Sequence, residues 1–194
     1  GVKPEDQPTW GLGDAVAGIV AAQLLSILVI GVVYAATGWS APEDIPIWAT
    51  GLLQIPLWIG LAGAVWYAAE CKGHGLAGDF GFSARALDAP VGLVVGIACQ
   101  LVVLPLLYWP ILHVLGLSSD ELAEPAERLA GRADGTVGWL VLALMVVVAA
   151  PLVEELFYRG LLLRAMTKRG WSTWLAVLAS AALFAAMHFQ PLQF

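Results

Sequence analysis

Residues 137–163 read VGWLVLALMVVVAAPLVEELFYRGLLL. The first seventeen of them carry no charge, and Glu154, Glu155 and Arg159 then follow inside the same apolar stretch. A helix needs about 20 apolar residues to span a bilayer, and each charge at its centre costs about 2.5 to 3.5 kcal/mol on insertion scales. Charged groups that are kept at such a cost usually mark function. The stretch therefore predicts both a transmembrane helix and a candidate site.

The composition of the whole chain is that of a membrane protein. Of its 194 residues 60% are hydrophobic and 12% are charged, whereas soluble domains are about 45 to 50% apolar and about 25% charged. We therefore predict an all-α fold, a polytopic transmembrane helix bundle in contact with the lipid bilayer. The net charge of −6 and the lack of a basic stripe give no support to a nucleic-acid partner.

Five apolar segments are predicted to span the membrane, namely 15–36, 47–69, 91–115, 137–163 and 172–189. Many of their ends carry tryptophan, as expected of an aromatic belt at the interface: Trp10, Trp39, Trp48, Trp66, Trp109, Trp139, Trp171 and Trp174. We interpret 1–194 as a single transmembrane domain with a motif-bearing core at 137–194. The fifth segment ends close to Phe194, so we expect further C-terminal spans of a larger bundle beyond it.

Lysine and arginine are distributed unequally between the two sides of this bundle. The N-terminal segment and the loops after the second and fourth spans carry six of them, and the loops after the first and third spans carry two. Loops rich in these residues stay in the cytoplasm. We therefore expect a multi-pass protein of a bacterial plasma membrane with a cytoplasmic N-terminus.

The loop between the third and fourth spans has helical signals of its own. Ser118 and Glu121 have the spacing of a capping box, and apolar residues continue at near-helical spacing to Ala130 despite Pro125. We favour a short helix in the membrane interface. A lid over a site is the alternative.

The spacing of the charged residues separates the two carboxylates of the fourth span. Glu155 and Arg159 are four residues apart, so on a helix they share a face and can form an ion pair. Glu154 points about 100° away from Glu155 and has no basic residue three or four positions further on. Glu154 is therefore a candidate general base or general acid. The alternative is a buried ion pair that only fixes helix packing.

The fifth span supplies a histidine at a matching depth. A tight turn is predicted near Gly170, with Glu154 16 residues before it and His188 18 residues after it. In an antiparallel hairpin with about 1.5 Å of rise per residue, their depths differ by about 3 Å. Small residues on the fifth span would let the two helices approach closely, and these are Ala181, Ala182, Ala185 and Ala186.

A glutamate and a histidine at one depth can activate water. Glu154 would be the general base, while His188 would polarise the water, stabilise an oxyanion or bind a metal. For a divalent metal such as zinc, Glu154 and His188 are the candidate ligands. Catalytic zinc usually has three protein ligands, so a third would come from outside this chain or from Glu155.

The motifs Glu154-Glu155-x-x-x-Arg159 and Phe184-x-x-x-His188 resemble the first two motifs of the CPBP family. These are the CAAX-processing and bacteriocin-processing (ABI) intramembrane proteases, and the resemblance covers residues 146–188. It implies a multi-helix membrane protein that hydrolyses a peptide bond of a membrane-associated peptide or protein. Carried over residue by residue, it implies Glu154 as the base, Glu155 and Arg159 as groups that orient it, and His188 as the residue that holds or polarises water. Family members are described both as glutamate-dependent and as metalloproteases, so the resemblance leaves the metal open.

The sequence departs from the family in one respect. A third motif, His followed four residues later by Asn or a similar residue, does not occur after His188. We expect it beyond Phe194. The alternative function is a non-catalytic membrane scaffold, a chaperone or a subunit of a larger membrane complex that retains the protease fold. A proton-coupled transporter is weaker, because the first three spans offer only glutamines as relays: Gln23, Gln54 and Gln100.

Overall fold

The computed structural model describes residues 7–39, 41, 44–83, 85–116 and 118–188, and within these ranges it contains helices and no strand. The helices, in chain order, are α1 (Leu12–Thr37), α2 (Ile47–Lys72), α3 (Leu76–Phe80), α4 (Asp88–Leu115), α5 (Ser119–Ala130), α6 (Gly135–Lys168) and α7 (Thr173–Met187). The predicted all-α fold class is confirmed.

The long helices coincide with the predicted spans. Among the described residues four helices, α1, α2, α4 and α6, are 26 to 34 residues long and apolar enough to cross a membrane. The fifth predicted span corresponds to α7, which is apolar over its 15 residues. The rest of that predicted span, from residue 189 onward, lies outside the described residues. The number of spans is close to the prediction, and the chain is a multi-pass membrane protein.

Two compact units make up the described chain. The first lies within Gly1–Phe82 and Arg132–Phe194 and holds α1, α2, α3, α6 and α7, whereas the second, Ser83–Gly131, holds α4 and α5. Within the second unit, α5 shows that the loop after the third span is helical, and Arg128 pairs with Glu124 at 2.5 Å on its surface. The capping box predicted for Ser118 depends on the Glu121 side chain, which lies outside the described part.

Small residues hold α1 and α2 together as an antiparallel hairpin. A Cβ atom added to Gly60 would overlap the backbone of Ala22, and one added to Gly18 would lie 2.5 Å from the Cβ of Ala64. Close packing of this kind is how membrane helices gain contact energy without a hydrophobic driving force. Added side chains at Gly18 and Gly60 would therefore push the two helices apart.

The core of the first unit is built around α6. Phe157, Leu161 and Leu162 of this helix are fully buried, together with Val65 of α2. The Phe157 ring reaches α1, where it lies 3.1 Å from the position that a Cβ of Gly18 would occupy. α6 thus contacts α1 and α2 at this depth, and Glu154 lies about one turn further toward its N-terminal end.

The N-terminal segment is tied to the ends of two other helices. Trp10 is only 5% exposed and packs on Phe80, with 5.1 Å between the ring centroids. Lys168 lies over the Trp10 ring, 4.6 Å from its centroid, and donates a hydrogen bond of 2.7 Å to the Trp10 carbonyl. The Thr9 amide donates to the Lys72 carbonyl at 2.6 Å.

Trp10 differs from the other tryptophans of the predicted belt in its surroundings. Phe80 of α3 and Lys168 pack against the indole ring and enclose it in protein. Other tryptophans do expose at least half of their surface, as a belt requires: Trp48, Trp66, Trp109, Trp139 and Trp174.

Candidate active site

α6 is not regularly wound where its charged residues lie. Two stretches, Leu144–Ala149 and Glu155–Leu162, are π-helical, and they flank a short α-helical segment that contains Pro151 and Glu154. Proline has no backbone N–H to donate to the preceding turn. π-helical turns inside α-helices are frequent at functional sites, so the winding itself singles out this part of the helix.

A tight turn joins α6 to α7, as the sequence predicts. Gly170 has a φ of +93°, a left-handed conformation that glycine adopts without strain. Its amide donates to the Thr167 carbonyl at 2.9 Å. α7 then starts at a Ser172 cap, whose hydroxyl accepts a hydrogen bond of 3.3 Å from the Leu175 amide. The two helices consequently run antiparallel.

One hydrogen bond between side chain and backbone fixes the register of this hairpin. The buried Ser180 hydroxyl of α7 donates to the Tyr158 carbonyl of α6 at 2.9 Å. The same carbonyl accepts from the Leu163 amide, five residues further on, as π-helical winding requires. The alanine face predicted for this contact is right only in part. Ala185 is buried, together with Ala176 and Ser180, but the others are exposed: Ala181, Ala182 and Ala186.

A row of aromatic rings leads across the hairpin to the histidine. The Tyr158 ring lies edge-on to Phe184, with 5.2 Å between centroids, and Phe184 lies 4.5 Å from the His188 ring. Glu154 lies four residues before Tyr158 on α6, and His188 lies four residues after Phe184 on α7. Because the helices are antiparallel, both residues lie one turn farther from the connecting turn. Their side chains interact electrostatically. The depth match predicted by counting from Gly170 is therefore present in the structure.

The hydrogen bonding of His188 defines which ring nitrogen is available. Its Nδ1 lies 2.9 Å from the Phe184 carbonyl oxygen. A carbonyl oxygen can only accept, so this bond requires the proton on Nδ1 and leaves Nε2 of the neutral ring with a free lone pair. The imidazole can thus accept a hydrogen bond from a water molecule or coordinate a metal through Nε2.

Glu155 and Arg159 form the ion pair that their spacing predicts. Both side chains are exposed, at 56% and 69% respectively, whereas Glu154 is half-buried. Among the described residues neither of the two hydrogen-bonds to Glu154. The structure thus places Glu154 and His188 at matching depths on the two helices, and it places the ion pair on a different face of α6.

Tyr158 is a polar residue of this site that the sequence interpretation missed. It is 6% exposed, packs between Phe157 and Phe184, and interacts electrostatically with Glu154. Its position four residues after Glu154 is the signal that could have identified it, because residues four apart share a helix face.

A separate apolar cavity of about 430 Å³ lies between α2 and α6. It is lined by α2 on one side and by the N-terminal half of α6 on the other: Trp48, Gly51, Leu52, Ile55, Trp58, Val141, Leu144, Met145 and Ala149. Ala149 stands five residues before Glu154, or about 7.5 Å along a helix. The cavity has the chemistry of a site for hydrocarbon rather than for a polar group.

The described residues do not complete a zinc site. In this part of the chain no three His, Cys, Asp or Glu side chains converge on one point, whereas catalytic zinc usually takes three protein ligands. Glu154 and His188 supply two. A metal at this position would need a ligand from elsewhere.

Comparison with known proteins points to one family. Residues 136–194 match the family model described as Rce1-like, a type II CAAX prenyl endopeptidase. The matched segment covers just under a third of the chain and contains both motifs of the site. No curated protein and no solved structure matches the chain. The match confirms the resemblance to the CAAX-processing proteases of the CPBP family: over this segment the chain is similar to a family of membrane-bound peptidases.

Proposed function

We propose that the protein is an intramembrane endopeptidase that hydrolyses a peptide bond of a membrane-associated substrate. The observation that carries the proposal is the placement of Glu154 and His188 at matching positions of the α6–α7 hairpin, each one turn beyond the contact between Tyr158 and Phe184. A half-buried carboxylate next to an imidazole with a free Nε2 is a set of groups that binds and deprotonates water.

In the proposed reaction a water molecule lies between the two side chains. It donates one hydrogen bond to Nε2 of His188 and the other to the Glu154 carboxylate. As the water oxygen bonds to the peptide carbonyl carbon, its proton passes to Glu154 and the carbonyl electron pair moves onto the oxygen. Glu154 then returns the proton to the peptide nitrogen while the C–N bond breaks. The products are a carboxylic acid and an amine, and transfer of the acid proton to the amine leaves a carboxylate and an ammonium group.

Glu155 and Arg159 act on this reaction indirectly. The ion pair lies on the exposed side of α6 and is made between two residues of its π-helical stretch. We propose that it holds the winding that directs Glu154 toward α7. This role is an orienting one, because neither side chain faces His188.

The substrate class follows from where the site lies. We propose that Glu154 and His188 act at membrane depth, where a peptide anchored in the bilayer can reach them. The matching family is described as acting on prenylated CAAX sequences, and the apolar cavity between α2 and α6 offers room for hydrocarbon near the site. We therefore propose a peptide with a lipid-modified cysteine as the first substrate to test.

The same two side chains, Glu154 and His188, can also serve as ligands of a divalent metal. Such an ion would bind Nε2 of His188 and the Glu154 carboxylate and would polarise the substrate carbonyl. No step above depends on it. Treatment of the purified protein with a chelator followed by metal analysis and activity measurement decides between the two modes.

The test is cleavage of a bilayer-anchored peptide by the full-length native protein in proteoliposomes. A fluorogenic peptide with a farnesylated cysteine serves as the probe, and the same peptide without the lipid serves as its comparison. We expect Glu154→Gln and His188→Ala each to lower kcat by at least 10²-fold, since they remove the base and its partner.

Glu70→Gln is the matched control, because it makes the same change in an exposed carboxylate at the end of α2. It should retain the parent rate. If Glu154→Gln cleaves the probe as fast as the parent, the protease proposal fails. Copurification of a stoichiometric partner with both site variants would then favour the membrane scaffold.

A further inference from the structure

We propose that the Tyr158 hydroxyl is a further catalytic group of this site, which donates a hydrogen bond to the substrate carbonyl oxygen during attack by water. The inference rests on the proposed peptidase function and goes beyond the residues of the two motifs. Tyr158 would stabilise the negative charge that develops on the substrate carbonyl oxygen. Glu154 does not fill this role, because it acts as the base.

The first support is position. Tyr158 follows Glu154 by four residues on α6, and the two side chains interact electrostatically. Its ring contacts Phe184, which in turn contacts His188. Tyr158 therefore lies one turn from Glu154 on the face of α6 that meets α7, with the Phe184 ring between it and His188.

The second support is that the hydroxyl is available. Tyr158 as a whole is 6% exposed. In the described part of the chain two side-chain polar atoms are fully enclosed without a partner, and the Tyr158 oxygen is neither of them. Within the described residues this hydroxyl makes no hydrogen bond with the protein. The ring is thus buried, while the oxygen is not completely enclosed by the described residues. A buried tyrosine normally satisfies its hydroxyl, so a partner is expected here.

The third support is rigidity. The Ser180 hydroxyl holds the Tyr158 carbonyl from the facing helix at 2.9 Å, and the ring is fixed edge-on between Phe157 and Phe184 at 5.3 and 5.2 Å. A donor that is held in place before the reaction does not need to reorganise as charge develops. Preorganised donors of this kind are among the largest contributors to catalysis.

The hydrogen bond fits the electron flow of the proposed reaction. When the water oxygen bonds to the carbonyl carbon and its proton moves to Glu154, the carbonyl oxygen gains the electron pair. Tyr158 keeps its own proton throughout and only donates a hydrogen bond to that oxygen. The bond weakens again when the C–N bond breaks and the nitrogen takes the proton from Glu154.

The test is Tyr158→Phe in the full-length protein, with the farnesylated fluorogenic peptide as substrate. The change removes one oxygen and keeps the ring contacts. We expect kcat to fall 10²- to 10³-fold, as for the loss of one oxyanion donor, with KM unchanged. Tyr67→Phe is the matched control, because it makes the same change in an exposed tyrosine of α2.

A second measurement does not depend on turnover. Binding of a phosphinate analogue of the cleaved peptide, which mimics the tetrahedral intermediate, should weaken in Tyr158→Phe by the same factor as kcat/KM. A fall in kcat of less than tenfold, or an increase in KM alone, would overturn the proposal. If that happens while Glu154→Gln is inactive, only the role of Tyr158 is lost; if Glu154→Gln is active, the peptidase function fails as well.

Discussion

At the scale of single residues, two neighbouring glutamates face different surroundings. Glu154 is half-buried beside His188, whereas Glu155 is exposed and paired with Arg159. The difference follows from the helix, since adjacent residues point about 100° apart. Because Glu155 and Arg159 are paired, their opposite charges largely cancel for the lipid or neighbouring helix that contacts this face of α6.

Loss of one partner of the ion pair should therefore lower the free energy of unfolding more than loss of both partners. Arg159→Gln leaves Glu155 uncompensated, and we expect the free energy of unfolding in mixed micelles to fall by about 2 kcal/mol, near the insertion cost of one charge. In Glu155→Gln/Arg159→Gln most of this loss should be recovered, because no charge is left. A double variant as unstable as Arg159→Gln would show that the pair does more than neutralise charge.

Counting along the sequence was sufficient to bring Glu154 and His188 together. A hairpin with one tight turn has few degrees of freedom, so distance from Gly170 fixes depth. The Tyr158 hydroxyl was not predicted, since an aromatic residue in an apolar helix is ordinarily core. The burial of Trp10 was not predictable, because it depends on Lys168 and Phe80, which are remote in the sequence.

At the scale of helices, hydropathy predicted the spans well because the bilayer sets their length. The four long helices follow the predicted segments within a few residues. The π-helical stretches of α6 were not predictable, since an extra residue in a turn leaves composition and hydropathy unchanged. The contact face of α7 was also only partly predictable, because the buried face consists of Ala176, Ser180 and Ala185.

The α1–α2 hairpin provides a test of close helix contact. Gly60→Ala puts a Cβ against the backbone of Ala22, which cannot yield as a flexible side chain would. We expect the variant to lose on the order of 1 to 3 kcal/mol of unfolding free energy, as overpacked sites do. Thermal unfolding in detergent measures this as a lower Tm.

Gly63→Ala is the control for that measurement. Gly63 lies in the same helix, and a Cβ there would meet nothing within 4 Å. The change should be neutral or slightly stabilising, because alanine favours helix by about 1 kcal/mol over glycine. Equal losses in both variants would contradict a packing origin.

At the scale of the whole molecule, the contacts of the first unit place three segments at one end of its helices. Thr9 bonds to Lys72 at the end of α2, and Lys168 at the end of α6 bonds to Trp10. The N-terminal segment and the turns after α2 and α6 therefore share one side of the membrane. The excess of Lys and Arg predicts that this side is the cytoplasm.

Labelling of Cys71 tests this orientation. The thiol is exposed and lies at the end of α2, next to Lys72. A membrane-impermeant maleimide should label inside-out vesicles and leave right-side-out vesicles unlabelled. Cys71→Ser should remove the signal, since Cys99 lies within the span α4. Labelling of right-side-out vesicles alone would reverse the topology.

The attachment of Trp10 to Lys168 has a consequence for biosynthesis. The two residues are 158 positions apart, so the indole ring of Trp10 cannot be enclosed until the chain has been synthesised past Lys168. Contacts between such distant positions close late in folding. During translation the first helix pair can already associate through Gly18 and Gly60, while the segment ahead of it stays open to proteases and chaperones until α6 has been inserted.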